Sequence, residues 1–206
     1  ITKGEIPLSQ FNQMLSLRLV KLSELIQVFI DSLRANDSLL EFLDNISYGN
    51  IRFAIDIVKG FFGSGHIDTE KIIRICETEG NNYVLPLHEF LRAFIYGDYK
   101  YYDPETSTLM NIFDVNYNDP KEHFLTSYTL GILKSVISSG KDEGYIEVDK
   151  IYSHLQSIGY LPEQIDKMLL RCLSKKLIET SNRVIPLTSS ELPKAIRATS
   201  IGLYHL

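Results

Sequence analysis

The stretch NISYGNIRFAIDIVKGFF, Asn45 to Phe62, decides how the first half of the chain is read. It opens on a polar turn that contains the pair Gly49-Asn50. Ala54, Ile55, Ile57, Val58, Phe61 and Phe62 then recur at the spacing of an amphipathic helix. Arg52 falls in the first turn of that helix, and the apolar positions predict that another face is buried. Gly49 lets the backbone take a positive φ or approach a ligand closely. A guanidinium pairs bidentately with phosphate and keeps its charge when partly buried. The first turn of a helix adds N–H donors and a dipole that favours an anion.

Outward from this stretch the pattern stays helical. Ser9 reads as the N-cap of a long helix whose apolar face is Phe11, Leu15, Leu19, Leu22, Leu25, Ile26, Phe29 and Ile30. Asn36-Asp37 breaks it, and a short helix over Ser38 to Ile46 leads into the Gly49 turn. Gly63 to Gly65 ends the Arg52 helix. Asp68-Thr69 caps the next one, and Gly80 to Asn82 is a turn. Pro86 opens another helix as a first-turn residue.

Residues 97 to 120 are rich in Tyr, Asp and Asn. A structureless loop of that length is unusual in a compact domain, so an ordered linker is expected. Tyr99, Tyr101, Tyr102, Ile112 and Phe113 are its expected anchors. Beyond it come a helix over Glu122 to Ser138, a short strand at Tyr145-Ile146, a helix over Glu147 to Ser157, and a third from Pro162 to about Lys176. Three β-prone runs follow, at Leu177 to Thr180, Asn182 to Ile185 and Ala195 to Ser200. Helix, strand, helix, helix and hairpin is the order of a winged helix. The expected fold is therefore mainly α. It divides into a helical bundle over 1–97, an ordered linker over 98–120, and a winged-helix domain over 121–206 with a small β-hairpin wing.

Gly49, Asn50, Arg52 and Ala54 resemble the Gly-polar-x-Arg-x-Ala signature in the helical lid of AAA+ and STAND-type P-loop ATPases. Phe61-x-x-Ser64-Gly65-His66 and Leu87 to Arg92 look like the region after the P-loop core in bacterial STAND-like ATPases. Some of those act in signalling or phage defence. Thr199, Gly202 and Tyr204 resemble the close of many winged helices. The resemblance implies a lid that reads ATP or ADP through Arg52, with Gly49 and Asn50 shaping the approach. It implies a nucleotide-binding core elsewhere in the same parent chain as the first partner. The chain starts at Ile1 and stops at Leu206 inside a run that reads as strand, so a segment of a longer protein is expected.

Several chemistries are excluded. A hydrophobic content of 44% with 23% charged residues marks a folding chain and not a disordered one. No Gly-x-x-x-x-Gly-Lys-Ser/Thr run is present, and Gly60 to His66 lacks the lysine such a loop needs. The chain is not expected to act as an enzyme by itself, nor to hold a cofactor without the core. His88-Glu89 fails as a metalloprotease motif because position 92 is Arg. His66, His123 and His154 have no ligand spacing, and Asp142-Glu143 reads as solvated loop charge. No catalytic or metal residues are assigned. No apolar run reaches the roughly 18 residues that span a bilayer, so no membrane partner is expected. Cys76 and Cys172 read as two buried thiols in a reducing cytosol.

Net charge is −5 overall, but −7 in residues 1–120 and +2 in residues 121–206. On the third helix of the second half, Met168, Leu169, Cys172 and Leu173 form the core face. Gln164, Lys167, Arg171, Lys175 and Lys176 are polar or basic. Lys167 and Arg171 share a face four residues apart, and with Lys175, Arg183 and Arg197 they are the candidate contacts to DNA or to a protein. The rival to a nucleotide-sensing regulatory segment is a DNA-binding winged helix whose helical half dimerises or acts as an adaptor. Self-association is the remaining partner class.

Overall fold

The computed structural model of the chain describes residues 8–79, 83–97, 99–114, 119–140, 142–181 and 192–206, with the backbone alone for 8–20 and 79. Five helices build the first half. They are α1 (Leu8–Ala35), α2 (Asp37–Ser47), α3 (Ile51–Gly63), α4 (Thr69–Glu79) and α5 (Leu87–Tyr96). Each boundary has a local cause. Asn36 alone separates α1 from α2: its side-chain oxygen accepts from the Leu39 amide at 3.3 Å, and its amide group donates to the Leu85 carbonyl at 3.3 Å. The α4 start is capped by Asp68, which accepts from the Lys71 amide at 2.9 Å. Pro86 precedes α5 as its N-cap residue, one place outside the expected first-turn position. Ser9 lies inside α1 rather than before it, since α1 already begins at Leu8.

The centre of this half is aromatic. Phe42, Phe61 and Phe90 are fully buried, with the Phe61 and Phe90 ring centroids 4.7 Å apart and Phe42 edge-on to Phe90. Such pairs add roughly 0.5–1.5 kcal/mol beyond the area they bury. Buried Ser32 stitches α1 to the approach of α5. Its hydroxyl donates to Val28 O at 2.7 Å and accepts from the Leu85 amide at 2.8 Å.

Residues 99–114 are anchored only in part as expected. Ile112 is buried, with Met110 and Ser107 beside the expected set, whereas Tyr99, Tyr101 and Phe113 are exposed. A buried tyrosine needs a partner for its hydroxyl. Tyr102 has one: it accepts from the Asn111 amide at 3.0 Å. The buried positions beneath the segment are filled by side chains that ask for none, or by Ser107, which donates to Phe94 O at 3.3 Å.

The second half runs through a 3₁₀ turn at Glu122–Phe124 into α6 (Leu125–Ser138). Then come β1 (Ile146–Glu147), α7 (Val148–Ser157), α8 (Pro162–Ser174), β2 (Ile178–Thr180), β3 (Ala195–Ala198) and α9 (Ser200–Tyr204). The described residues are thus mainly helical, with nine α-helices and one small sheet. The sheet is antiparallel in the order β1-β3-β2, with Ile146 opposite Ile196 and Glu179 opposite Arg197. The expected strand at Asn182 to Ile185 lies outside the described residues, as does the turn at Gly80 to Asn82.

Two expectations change here. The third helix of this half stops at Ser174, because Lys175 and Lys176 form the turn into β2, with Lys176 at φ +59°. The closing run is not strand to its end. Thr199 accepts from the Gly202 amide at 3.1 Å and donates to the Lys176 carbonyl, which turns the chain into α9. That helix packs on α2, with Tyr204 edge-on to Phe42 at 5.8 Å. One apolar cluster therefore runs from Phe29 to Ile201, through both halves.

Candidate functional site

The turn between α2 and α3 is built from three unusual residues. Tyr48 ends α2 at φ +55°, Gly49 follows at φ +67°, and Asn50 caps α3 by accepting from the Phe53 amide at 3.1 Å. Two successive left-handed residues reverse the chain within one turn. Arg52 is thereby set in the first turn of α3, where it is exposed, with no hydrogen bond or ion pair among the described residues. The sequence brought Gly49, Asn50 and Arg52 together, and the structure places them on this one turn.

Tyr48 is the residue that sequence reasoning missed. Its hydroxyl donates to Glu179 on β2, across 131 positions of chain. The same carboxylate takes Arg197 from β3 and, at 3.4 Å, the Tyr145 hydroxyl. Arg197 also lies over the Tyr145 ring at 4.8 Å and donates to the Glu143 carbonyl at 3.3 Å. Burial alone would raise the Glu179 carboxyl, but the hydrogen bonds from Tyr48, Arg197 and Tyr145 outweigh it and hold the group below its usual value. Two further contacts flank the turn. Ser200 donates to the Asn45 carbonyl at 2.9 Å, and the Lys176 ammonium sits 4.4 Å from the Phe53 ring centroid. Nothing local in the sequence links Tyr48 with Glu179.

Beside Arg52 an apolar groove of about 460 Å³ opens between α1, α2 and α3. Ile26, Ile30, Leu40, Ile51 and Ile55 line it and are themselves exposed, Ile51 at 78%.

The basic residues of the second half occupy different settings. Lys167 is exposed on α8. Arg171 is turned onto the 99–114 segment: it pairs with the Asp114 carboxylate at 2.6 Å and donates to the Asp114 carbonyl at 3.3 Å. Lys175 donates to the carbonyls of Ser107 at 2.8 Å and Glu105 at 3.2 Å, and burial lowers its pKa. Arg197 belongs to the Glu179 cluster. Arg183 lies outside the described residues. Gln164, expected on the polar face, is buried; it accepts from the Leu161 amide at 2.9 Å and donates to Asp119 at 3.1 Å.

Among the described residues no group of His, Cys, Asp and Glu is arranged to hold a metal ion, and no helix is long and apolar enough to cross a membrane. His66, His123 and His154 hydrogen-bond to Tyr99 O, Phe113 O and the Tyr128 hydroxyl. Cys172 is buried beside Met168, and desolvation pushes its thiol up to about 12. Cys76, within α4, is only half-buried, against the expectation of two buried thiols. Comparison of the chain with family models, with curated proteins and with solved structures found no match.

Proposed function

We propose that the chain is a regulatory segment of a larger P-loop ATPase, a helical lid followed by a winged helix. In this reading Arg52 contacts the phosphates of ATP or ADP held by the nucleotide-binding core of the same parent protein, in the cytoplasm. The winged helix passes the nucleotide state on to a protein partner or holds the inactive form closed. The observation that carries the reading is the shared turn. Residues 48–50 present Arg52 to solvent on one side and reach Glu179 in the sheet on the other. Two features support it. The sheet order β1-β3-β2 and the order of α6, α7 and α8 agree with a winged helix. The exposed apolar groove beside Arg52 is a surface on which a core could dock.

The DNA-binding rival is weaker on the same geometry. Arg171, Lys175 and Arg197, three of its candidate phosphate contacts, already have partners inside the chain. The test is nucleotide affinity in the full encoded protein, with and without Arg52→Ala. Loss of a charged phosphate contact should weaken binding by about 1.5–3 kcal/mol, with the circular dichroism spectrum unchanged. Equal affinities would overturn the reading, and so would a full reading frame that lacks a phosphate-binding loop.

A further inference from the structure

Tyr48 combines two properties that rarely meet. It is a non-glycine residue held at positive φ, in a conformation that is strained for a bulky side chain. Its hydroxyl also makes a long-range bond to a carboxylate that cannot easily follow it. Glu179 is fixed on β2 opposite Arg197, and its other oxygen is taken by Arg197 and Tyr145. Arg197 is held in turn by the Tyr145 ring and the Glu143 carbonyl. The Glu179 side chain is only 15% exposed. The sheet end of the contact is therefore rigid, and the turn end holds strain that the contact opposes.

We propose that Tyr48 is a latch. Its hydroxyl on Glu179 locks the α2–α3 turn against the sheet, and release of that one bond lets the turn and the first turn of α3 move while the rest of the fold stays in place. The inference deepens the nucleotide-relay reading and rests on it only for what the movement serves. The latch is a direct hydrogen-bonded connection between the turn that carries Arg52 and the β2–β3 pair. Any force that displaces Arg52 acts on Tyr48 four residues away. Any partner that moves β2 pulls on the same hydroxyl.

Hydrogen–deuterium exchange on the 206-residue chain tests this without nucleotide. The reporters are the amides of Phe53 and Ala54, which are bonded to Asn50 and so protected while the turn is closed. Tyr48→Phe removes one oxygen atom and leaves the ring. It should speed exchange over residues 48–55 by about fivefold or more, with exchange in α6 and α8 unchanged. Glu179→Gln should do the same and also loosen β2 and β3. Tyr145→Phe, which touches the carboxylate but not the turn, should leave residues 48–55 at the wild-type rate. Unchanged exchange over 48–55 in Tyr48→Phe would overturn the latch, as would an equal rise along the whole chain. A latch that opens as described in a protein indifferent to Arg52→Ala would remove the nucleotide reading and leave the latch standing.

Discussion

Gly202 shows how little space a single residue can be given. A Cβ there would lie 2.0 Å from the Leu177 carbonyl oxygen and 3.2 Å from a Leu130 methyl. The first is backbone and cannot rotate aside. Gly202→Ala should therefore cost about 3 kcal/mol or more, read as a lower urea midpoint. The requirement is for closeness and not for a special φ, since α9 lies directly on the turn that enters β2. Asn50 is the milder case at the same scale. It supplies one capping bond to α3, so Asn50→Ala should cost about 1 kcal/mol, seen as a small drop in melting temperature. Both residues carry signals in the sequence, but of unequal value. Asn after Gly before an apolar period is a helix start that can be read directly. Thr-x-x-Gly near the end of the chain does not say which carbonyl the glycine will meet.

Elements were legible where their boundaries are local. α2 to α5 begin at Asn36, Asn50, Asp68 and Pro86, residues whose capping or turn chemistry acts within a few positions. α9 was not legible, because Ala195 to Leu206 is β-prone in composition. Its helical turn is imposed by the Thr199 hydroxyl and by packing on α2. The α8 face shows the same limit. Lys167 and Arg171 share a period, and spacing alone does not separate an exposed cation from a half-buried one tied to another segment. The structure ties Arg171 to Asp114, with 18% of its side chain exposed. Arg171→Ala should destabilise the chain by about 1.5–3 kcal/mol in urea and speed proteolysis within residues 99–114. Lys167→Ala, at an exposed position of the same helix, should cost less. If duplex DNA binds weakly, Arg171→Ala should leave the slope of affinity against salt unchanged, whereas a true phosphate contact would lower it by about one.

At the scale of the molecule, protons couple to folding through two groups of the second half, His205 at the end of α9, which packs on α2, and Glu179, which takes the Tyr48 hydroxyl. His205 is half-buried, and desolvation lowers its pKa below the usual 6.5, partly offset by the Ile201 carbonyl. The unfolded chain thus takes up a proton on this histidine before the folded chain does. Its contribution to stability is complete above pH 6.5 and is lost as pH falls through the folded value. Glu179, also depressed, adds a second loss below its usual 4.5. Urea midpoints measured from pH 7.5 down to well below 4.5 should fall in two stages, and His205→Asn should remove the first. A wild-type profile that stays flat as pH falls below 6.5, before the carboxylate range is reached, would refute the assignment. The apolar cluster that joins the halves has a practical effect on chemical labelling. Cys172 is sealed inside it with a thiol pushed up to about 12, while Cys76 is half-buried within α4 with a thiol raised by burial and by Glu24. A maleimide dye at mildly alkaline pH therefore finds a single address per molecule without mutagenesis. Its fluorescence becomes a ready-made gauge of how α4 shifts when the rest of the chain is engaged.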